Sequence, residues 1–188
     1  MRHAHRFQVS KGSRMMTPAV VFVLLAVLGQ TSGNAGANIA RGGKVTQSSV
    51  AWNGVPERAI DGKRDNIYSQ SSCSHTNHDQ NPWWRLDLLK TYKINSVTVT
   101  NRKDCCHDRI KGAEIRIGNS PDGNDGSRCA VIASLGPGAT KKFECKGLVG
   151  RYVTIVIPGR KEYLTLCEVE VTGIESDESD DSNEYACG

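Results

Sequence analysis

Short runs of alternating apolar and polar residues recur between residues 94 and 173, and they constrain the fold more than any other feature of the sequence. A period of two is typical of half-buried β-strands, and no helical pattern of similar clarity accompanies these runs. Six or more such runs predict an all-β fold, an antiparallel β-sandwich or jelly roll. The clearest runs are Ile94–Thr100, Ala113–Gly118, Arg151–Pro158 and Cys167–Gly173.

Two segments refine the predicted sheets. "CAVIASLG" and "KKFEC" predict a pair of strands on either side of the turn Gly136–Thr140. In "NPWWRLDLL" (Asn81–Leu89), large aromatic residues beside a strand predict a core anchor, because such residues usually serve packing. The residues expected in the core are Trp83, Leu86 and Leu88, with Arg85 and Asp87 facing outward or paired.

The two ends of the chain differ in composition from the part between them. Basic residues precede the apolar run Ala19–Leu28 and small residues follow it, which is the order of a secretory signal. The run is short for a membrane span, so a retained anchor is the weaker alternative, and Met15 or Met16 is an alternative start. Glu175–Gly188 is acidic without any basic residue, a composition typical of a disordered tail. We therefore predict a secreted protein with a signal region (1–37), one folded domain (38–174) and an acidic tail (175–188).

The charge of the chain gives no argument for a nucleic-acid partner. The formal net charge is +4, but the predicted signal region contributes basic residues and no acidic ones. The basic excess that remains in the predicted domain is too mild to indicate a nucleic-acid surface. We expect neither nucleic-acid binding nor membrane insertion.

All seven cysteines follow the predicted signal region. In an exported chain the default state of cysteine is a disulfide, and an odd number leaves one cysteine over. Cys187, next to last in the acidic tail, is the expected spare. By count alone the other six can pair in several ways. They are Cys73, Cys105, Cys106, Cys129, Cys145 and Cys167.

The adjacent cysteines in "NRKDCCHDR" (Asn101–Arg109) allow several interpretations. Successive Cα atoms lie ~3.8 Å apart, below the ~4.4 Å usual for a disulfide, so a bonded Cys105–Cys106 pair would be a small rigid ring that exposes two sulfurs. A redox centre of the Cys-x-x-Cys type lacks its spacing here. Zinc is another alternative, because Cys73, His75 and His78 form C-x-H-x-x-H, although an oxidising compartment disfavours thiolate ligands.

The charged residues around these cysteines favour a ligand surface. In an extended segment Arg102 and Asp104 point to the same side, so the carboxylate can hold the guanidinium in place. Arg109 can fold back towards the same point. Guanidinium donors suit a ligand with hydroxyl or ring oxygens, a carboxylate or a phosphate, and an imidazole can both donate and accept. A solvated surface ion network remains the alternative on charges alone.

His75, Arg102, Asp104 and Arg109, with "DCC" between them, form a pattern that resembles the fucose-binding signature of the F-type lectins, or fucolectins, of the eel agglutinin kind. The resemblance extends over about residues 38–173. It implies a discoidin-like jelly-roll β-sandwich with the sugar site in loops at one end, and a lectin rather than an enzyme. The motifs that carry it include "AIDGKRD", "SCSHTNHDQNPWWRLDLL", "VTNRKDCCHDRIKGAEIRIG" and "CEVEV".

The resemblance implies a role for each residue of the sugar site. The imidazole and the two guanidiniums would hydrogen-bond the hydroxyls and ring oxygen of L-fucose, and the Cys105–Cys106 disulfide would be the plate beneath its apolar carbons. Asp104 would orient an arginine, and Tyr68 would lie near the fucose methyl group. The implied sugar-binding set is Tyr68, His75, Arg102, Asp104, Cys105, Cys106 and Arg109.

The resemblance also implies the remaining disulfides and a calcium site. The pairs would be Cys73–Cys167 and Cys129–Cys145, with Cys187 unmatched. Calcium takes oxygen ligands, many of them main-chain carbonyls in turns, and it would hold the loops that carry His75. The implied ligands are the main chain of Arg58 and Lys63, the side chains of Asp61, Ser72 and Glu168, and the carbonyl of Cys167.

We therefore expect a secreted, calcium-dependent lectin for terminal L-fucose on glycans of cell surfaces or microbes, acting as an agglutinin in innate immune recognition. Weak single sites imply a homo-oligomer for avidity. The chain departs from the family pattern in Val50–Asp61, which is shorter than the eel loop and contains Trp52, and in Ser69, where a second aromatic residue could stand. His78 and His107 are extra histidines that we expect to be solvent-exposed.

Three other functions remain as alternatives. A glycosidase needs two carboxyl groups ~5–9 Å apart, whereas the carboxylates of this motif are flanked by arginines that keep them ionised. An adhesion module of the discoidin type would bind protein or lipid, and free L-fucose would not displace its ligand. In an acidic-tail interaction protein, deletion of Glu175–Gly188 would abolish function.

Overall fold

The computed structural model of the chain describes residues 36–176. The predicted signal region, the predicted tail and Cys187 therefore lie almost wholly outside the described residues. Within residues 36–176 no helix has the length and apolar character needed to cross a membrane. The strands are β1 (Lys44–Gln47), β2 (Ser74–His75), β3 (Asp79–Gln80), β4 (Trp83–Thr100), β5 (Ala113–Gly118), β6 (Ser127–Ile132), β7 (Thr140–Val156), β8 (Lys161–Glu162), β9 (Thr165–Leu166) and β10 (Glu168–Glu175). Short 3₁₀ helices occupy Ala40–Gly42, Pro56–Ala59, Tyr68–Gln70 and His107–Ile110.

Two long strands, β4 and β7, organise the sheet. They pair with each other over Trp83–Asp87 and again over Tyr92–Thr100 of β4, with an irregularity between the two stretches. The first half of β4 pairs with β1 and the second half with β10, while the second half of β7 pairs with β5, which pairs with β6. All these pairings are antiparallel. Because β4 and β7 change partners at their middle, each contributes to both layers of an antiparallel β-sandwich, and the predicted fold class is confirmed.

The core lies between these layers, and one predicted member of it is wrong. Leu86 and Leu88 are buried as predicted, but Trp84 and not Trp83 is the buried tryptophan, with 0% of its surface exposed. The reason is the period of two, which places Trp84 on the inner face with Leu86 and Leu88. Trp83 lies on the outer face with Arg85 and Asp87 and is only half-buried.

The predicted hairpin around Gly136–Thr140 is also wrong. β6 pairs with β5, whereas the "KKFEC" part of β7 pairs with the second half of β4. The connection between β6 and β7 therefore joins strands that are not hydrogen-bonded neighbours. The Cys129–Cys145 disulfide links these two strands instead.

All three predicted disulfides are present: Cys73–Cys167, Cys105–Cys106 and Cys129–Cys145. The first joins the segment that leads into β2 to the residue before β10. It therefore fixes the loops at the end of the sandwich where β4 ends at Thr100 and β10 begins at Glu168. The candidate site lies among these loops.

Candidate functional site

His75 is the buried centre of the site. It lies on β2, paired with Thr165 of β9, and 0% of its surface is exposed. Its Nδ1 lies 2.6 Å from the carbonyl oxygen of Thr76 and donates to it, which leaves Nε2 as the acceptor of a neutral ring. Nε2 is buried and has no hydrogen-bond partner. Burial lowers the pKa of His75, and the nearby charges of Arg102 and Arg109 lower it further.

Two aromatic rings bring both arginines to this histidine. The Tyr68 and Tyr163 rings each lie 5.5 Å from the His75 ring, centroid to centroid, in edge-on geometry. The guanidinium of Arg102 lies 4.6 Å from the centre of the Tyr68 ring, and that of Arg109 lies 4.5 Å from the centre of the Tyr163 ring. The imidazole thus lies between two tyrosine rings, and an arginine guanidinium lies against each of these rings.

Asp104 holds Arg102 in a bidentate pair. Arg102 donates from Nε and Nη2 to the two carboxylate oxygens over 2.9 and 2.7 Å. The main-chain N–H of Tyr68 donates to the same carboxylate over 3.1 Å. The hydrogen bond from Arg102 lowers the pKa of Asp104 to about 2, so this carboxylate stays ionised and does not act as a general acid near neutral pH.

The loop that carries the adjacent cysteines is held by a buried amide. The Asn101 side chain donates through Nδ2 to the carbonyls of His107 at 3.0 Å and Leu135 at 2.7 Å, and only 1% of the residue is exposed. Cys105 and Cys106 are half-buried at the surface of this loop. Cys106 adopts a positive φ of 61°, which turns the chain into the 3₁₀ helix containing Arg109.

Arg109 is held by residues that the sequence analysis missed. Its Nε lies 3.8 Å from Oε1 of Glu162, and its main-chain carbonyl accepts a hydrogen bond of 2.9 Å from Nη2 of Arg160. Glu162 and Tyr163 stand at β8 and just after it, more than 50 residues along the chain from Arg109. No local pattern links such distant positions; the pairing of β8 with β3 places Glu162, and the hydrogen bond from Arg160 ties this segment to Arg109.

Three further rings lie near this cluster or its loop. Trp52, which is 66% exposed, lies edge-on to His75 at 4.7 Å and stacks with Tyr163 at 5.9 Å. His78 is exposed as predicted and stacks on Tyr163 at 4.9 Å. His107 is less exposed than predicted: it begins the 3₁₀ helix His107–Ile110, and its side chain is 37% exposed and lies 3.5 Å from the carboxylate of Asp108.

A buried carboxylate marks the place of the predicted calcium ligands. Glu168 is 1% exposed, and its Oε1 has no hydrogen-bond partner, while Oε2 accepts from the N–H of Gly62 over 3.3 Å. Burial, followed by the negative charge of Asp61, raises the pKa of Glu168 to about 8. An orphaned buried carboxylate oxygen beside a second carboxylate fits a hard cation with oxygen ligands.

Each of the other predicted ligands has its own local setting. The N–H of Lys63 donates to Asp61 over 2.8 Å, which orders the turn 61–63. The hydroxyl of Ser72 donates to the carbonyl of Ile67 over 2.8 Å, leaving its lone pairs available. Cys167 precedes Glu168 and is bonded to Cys73, and Arg58 lies in the 3₁₀ helix Pro56–Ala59.

The zinc alternative is not supported. Residues 36–176 contain no group of three His, Cys, Asp or Glu side chains placed to hold a metal. Cys73, Cys105 and Cys106 are all in disulfides and so supply no thiolate.

Comparisons with known proteins agree with this geometry. The family model of the NedA-like, galactose-binding domain matches residues 58–155. Fucolectin-5 of Anguilla japonica is 49% identical over 145 residues, which cover 73% of this chain and 76% of that protein. The fucolectin of Anguilla anguilla is 48% identical over 71% of this chain and 89% of its own length. The chain belongs to the fucolectin, or F-type lectin, family.

Solved structures share the fold. A fucolectin from the serum of the striped bass, Morone saxatilis, superposes with a TM-score of 0.74 and 54% identity, over 76% of this chain and 49% of that one. The chain thus spans about half the length of that solved protein. A fucose binding module of Streptococcus pneumoniae superposes with a TM-score of 0.67 and 31% identity, over 74% of this chain and 96% of the module. The relatives are lectins, so the chain is assigned to a lectin family and not to an enzyme family, as predicted.

Proposed function

We propose that this fucolectin-family protein binds terminal L-fucose on glycans. One observation carries the proposal: the unpartnered, buried Nε2 of His75 lies in a cluster with two guanidiniums that aromatic rings and carboxylates hold in place. The exposed Trp52 ring lies 4.7 Å from the buried imidazole, and once it turns aside the neutral imidazole accepts a hydrogen bond from a sugar hydroxyl, while the guanidiniums donate to hydroxyl and ring oxygens. Such a set matches one small polyhydroxylated ligand.

The remaining members of the predicted set have roles that follow from their positions. The Cys105–Cys106 disulfide is a surface for the apolar carbons of the sugar ring, and the Tyr68 ring stands beside His75 where the fucose methyl group would pack. Asp104 fixes Arg102 without contacting the sugar. Because these groups are held before the ligand arrives, few torsions are ordered on binding, which lowers the entropic cost of binding.

The relatives support the choice of sugar. Those named above are called fucolectins, one solved relative is called a fucose binding module, and another is a lectin domain of lectinolysin complexed with Lewis b antigen. We extend the proposal to a secreted protein that forms homo-oligomers and agglutinates fucosylated cells or microbes in innate immunity. Oligomers convert weak single-site binding into avidity.

Calcium is part of the proposal. Glu168 and Asp61 would hold the ion, together with Ser72 and the main-chain oxygens of Arg58, Lys63 and Cys167. A bound calcium ion supplies positive charge to two close carboxylates. Glu168 would then stay ionised, and the segment Arg58–Lys63 would be tied to the start of β10, next to the Cys73–Cys167 disulfide that leads into β2 and His75.

Calorimetric titration with free L-fucose tests the sugar site. The wild-type protein should bind, and His75→Phe, which keeps a flat ring but removes the Nε2 acceptor, should bind at least roughly tenfold more weakly, in line with a lost buried hydrogen bond. Unchanged thermal unfolding of the variant would show that its fold is intact. Absence of binding to the wild-type protein, or wild-type affinity in His75→Phe, would contradict the proposal.

A further inference from the structure

A second concave surface lies on the outer face of the sandwich. It has a volume of about 760 Å³, within the range of ~300–1,000 Å³ that is usual for small-molecule sites. We call it the outer groove. No residue that lines it belongs to the predicted sugar-binding or calcium sets. The lining residues that matter here are Gln80, Asn81, Trp83, Arg116, Thr154 and Val156.

The floor of the outer groove follows from the strand register. Trp83 of β4 pairs with Val156 of β7, and Arg85 pairs with Thr154, which in turn pairs with Arg116 of β5. These outward-facing residues form two adjacent rows across three strands. An aromatic ring, an aliphatic side chain and a hydroxyl group therefore lie side by side on a rigid sheet.

Arg85 makes the groove rigid. It donates through Nε to the hydroxyl of Thr154 over 3.0 Å and through its two terminal nitrogens to the carbonyls of Pro121 and Asp122 in the loop between β5 and β6. Its guanidinium also lies 4.6 Å from the centre of the Trp83 ring. One residue thus fixes both the wall formed by the loop and the orientation of the tryptophan.

Charge balance narrows the class of ligand. The lining contains two guanidiniums, of Arg85 and Arg116, and one carboxylate, of Asp122. Glu114 accepts hydrogen bonds of 2.8 and 2.6 Å from Arg116 and one of 3.0 Å from Arg128, so its carboxylate offsets part of the charge of Arg116. The groove therefore offers little net charge to a polyanion such as a sulfated chain or an acidic peptide.

We propose that the outer groove is a second carbohydrate site, which takes a neutral, fucose-free oligosaccharide. The core does not need Trp83, because Trp84 fills the interior. Arg85 lies over one face of the half-buried Trp83 ring, so a pyranose would pack its apolar C–H face against the part of the ring that Arg85 leaves uncovered. The amide of Gln80 and the side-chain N–H groups of Asn81 supply hydrogen-bond partners for sugar hydroxyls, whereas the Asn81 oxygen and the nearly buried Thr154 hydroxyl already accept from Gly159 and Arg85. The glycan bound here would differ from one bound through His75, so a single domain would contact two parts of a glycan or two glycans.

The test uses the full chain with the sugar site disabled. Arg102→Ala removes a proposed fucose ligand, and it is combined with Trp83→Ala or with the matched aromatic control Trp83→Phe. The probes are neutral fucose-free oligosaccharides of two to six residues, screened on an array, with chondroitin sulfate as the anionic probe. Binding is quantified by amide chemical shifts in two-dimensional NMR, which also report whether each variant is folded.

Arg102→Ala should bind at least one neutral oligosaccharide, with shifts centred on Trp83, Thr154 and Asn81. Trp83→Ala should weaken this binding roughly tenfold, and Trp83→Phe less, because much of the stacking surface remains. Free L-fucose should not compete. Three results would each overturn the proposal: no neutral probe binds Arg102→Ala, binding is unchanged in Trp83→Ala, or only the sulfated probe binds. Because the sugar site is disabled in every arm, failure here leaves the fucose proposal untouched.

Discussion

A guanidinium that is fixed on two sides acts as an oriented donor. Arg102 has a bidentate carboxylate on one edge and the Tyr68 ring against its face, and its side chain is only 12% exposed. Asp104 is ionised at any ordinary pH because its pKa is about 2, so this arrangement does not change between pH 5 and 9. The planar shape of the guanidinium matters as much as its charge.

Replacing Arg102 should therefore abolish most fucose binding even when the charge is kept. We expect Arg102→Ala to lose ~1.5–3 kcal/mol of binding free energy, the value of a hydrogen bond to a charged group. Arg102→Lys should lose nearly as much, because an ammonium cannot form the bidentate pair. Calorimetric titration with L-fucose measures both. Arg64→Ala removes an exposed arginine paired with Glu170 and is the control; a full-affinity Arg102→Lys would refute the geometric argument.

The protonation state of His75 gives a prediction on pH. Burial and two neighbouring guanidiniums lower its pKa below the usual value of about 6.5, so the ring is neutral at pH 7. The unfolded chain binds this proton more readily than the folded one, so stability falls as pH drops below about 6.5. Fucose affinity should be constant from pH 6.5 to 8 and should fall at lower pH, when Nε2 becomes a donor. NMR titration of the imidazole checks this; a His75 pKa above 6.5 would contradict it.

At the scale of elements, sequence patterns predicted those strands whose bounds depend only on residues close together in the chain. Ala113–Gly118 is a strand with the predicted bounds, because β5 keeps one face inward over its length. β4 and β7 were predicted only in pieces, because each strand passes from one layer to the other. At the bend of β4, Leu89 has a positive φ of 69°, and the period of two is interrupted there. If the period of two is extended back from Leu86, it identifies Trp84 and not Trp83 as the buried tryptophan.

The candidate site was predictable to the extent that its residues share one motif. Arg102, Asp104 and the cysteine pair stand close in sequence, and the resemblance linked them to His75. Tyr163 and Glu162 could not be found in this way, because their contact with Arg109 depends on how the chain folds back to pair β8 with β3 and β9 with β2. The Asn101 amide was missed for a related reason: one of its acceptors, the carbonyl of Leu135, lies on a connection whose strands were paired wrongly.

The junction between the segment Arg58–Lys63 and β10 gives a prediction for calcium. Without the ion, Glu168 has a raised pKa of about 8, so the folded state binds its proton more tightly than the unfolded state. Stability should then decrease as pH rises from about 4.5 to about 8. Calcium should cancel this decrease by holding both carboxylates ionised.

Thermal unfolding with calcium and with a chelator at pH 5, 7 and 8.5 measures the effect. We expect calcium to raise the unfolding temperature most at pH 8.5 and least at pH 5. Glu168→Gln should unfold at a temperature that no longer depends on calcium. Equal stabilisation by calcium in Glu168→Gln and in the wild-type protein would exclude Glu168 as a ligand.

On the scale of the whole molecule, disulfides tie distant parts of the sandwich together. Cys129–Cys145 spans 16 positions and links β6 to β7, while Cys73–Cys167 spans 94 positions and links the segment before β2 to the residue before β10. A cross-link restricts the unfolded chain more when it closes a longer loop. The longer link also stands between the predicted calcium ligands and His75, so it serves stability and the site together.

Removing each disulfide should therefore have different consequences. Replacing Cys129 and Cys145 by alanine should cost ~3 kcal/mol of unfolding free energy, and replacing Cys73 and Cys167 ~4–5 kcal/mol, from loop-closure entropy. Only the second variant should also lose affinity for calcium and L-fucose, because the segment that leads into β2 is then no longer tied to the start of β10 at the site. Denaturant unfolding and calorimetry on both variants separate the two effects. If the Cys129/Cys145 variant lost fucose affinity as strongly, the site would depend on global stability rather than on this local tie.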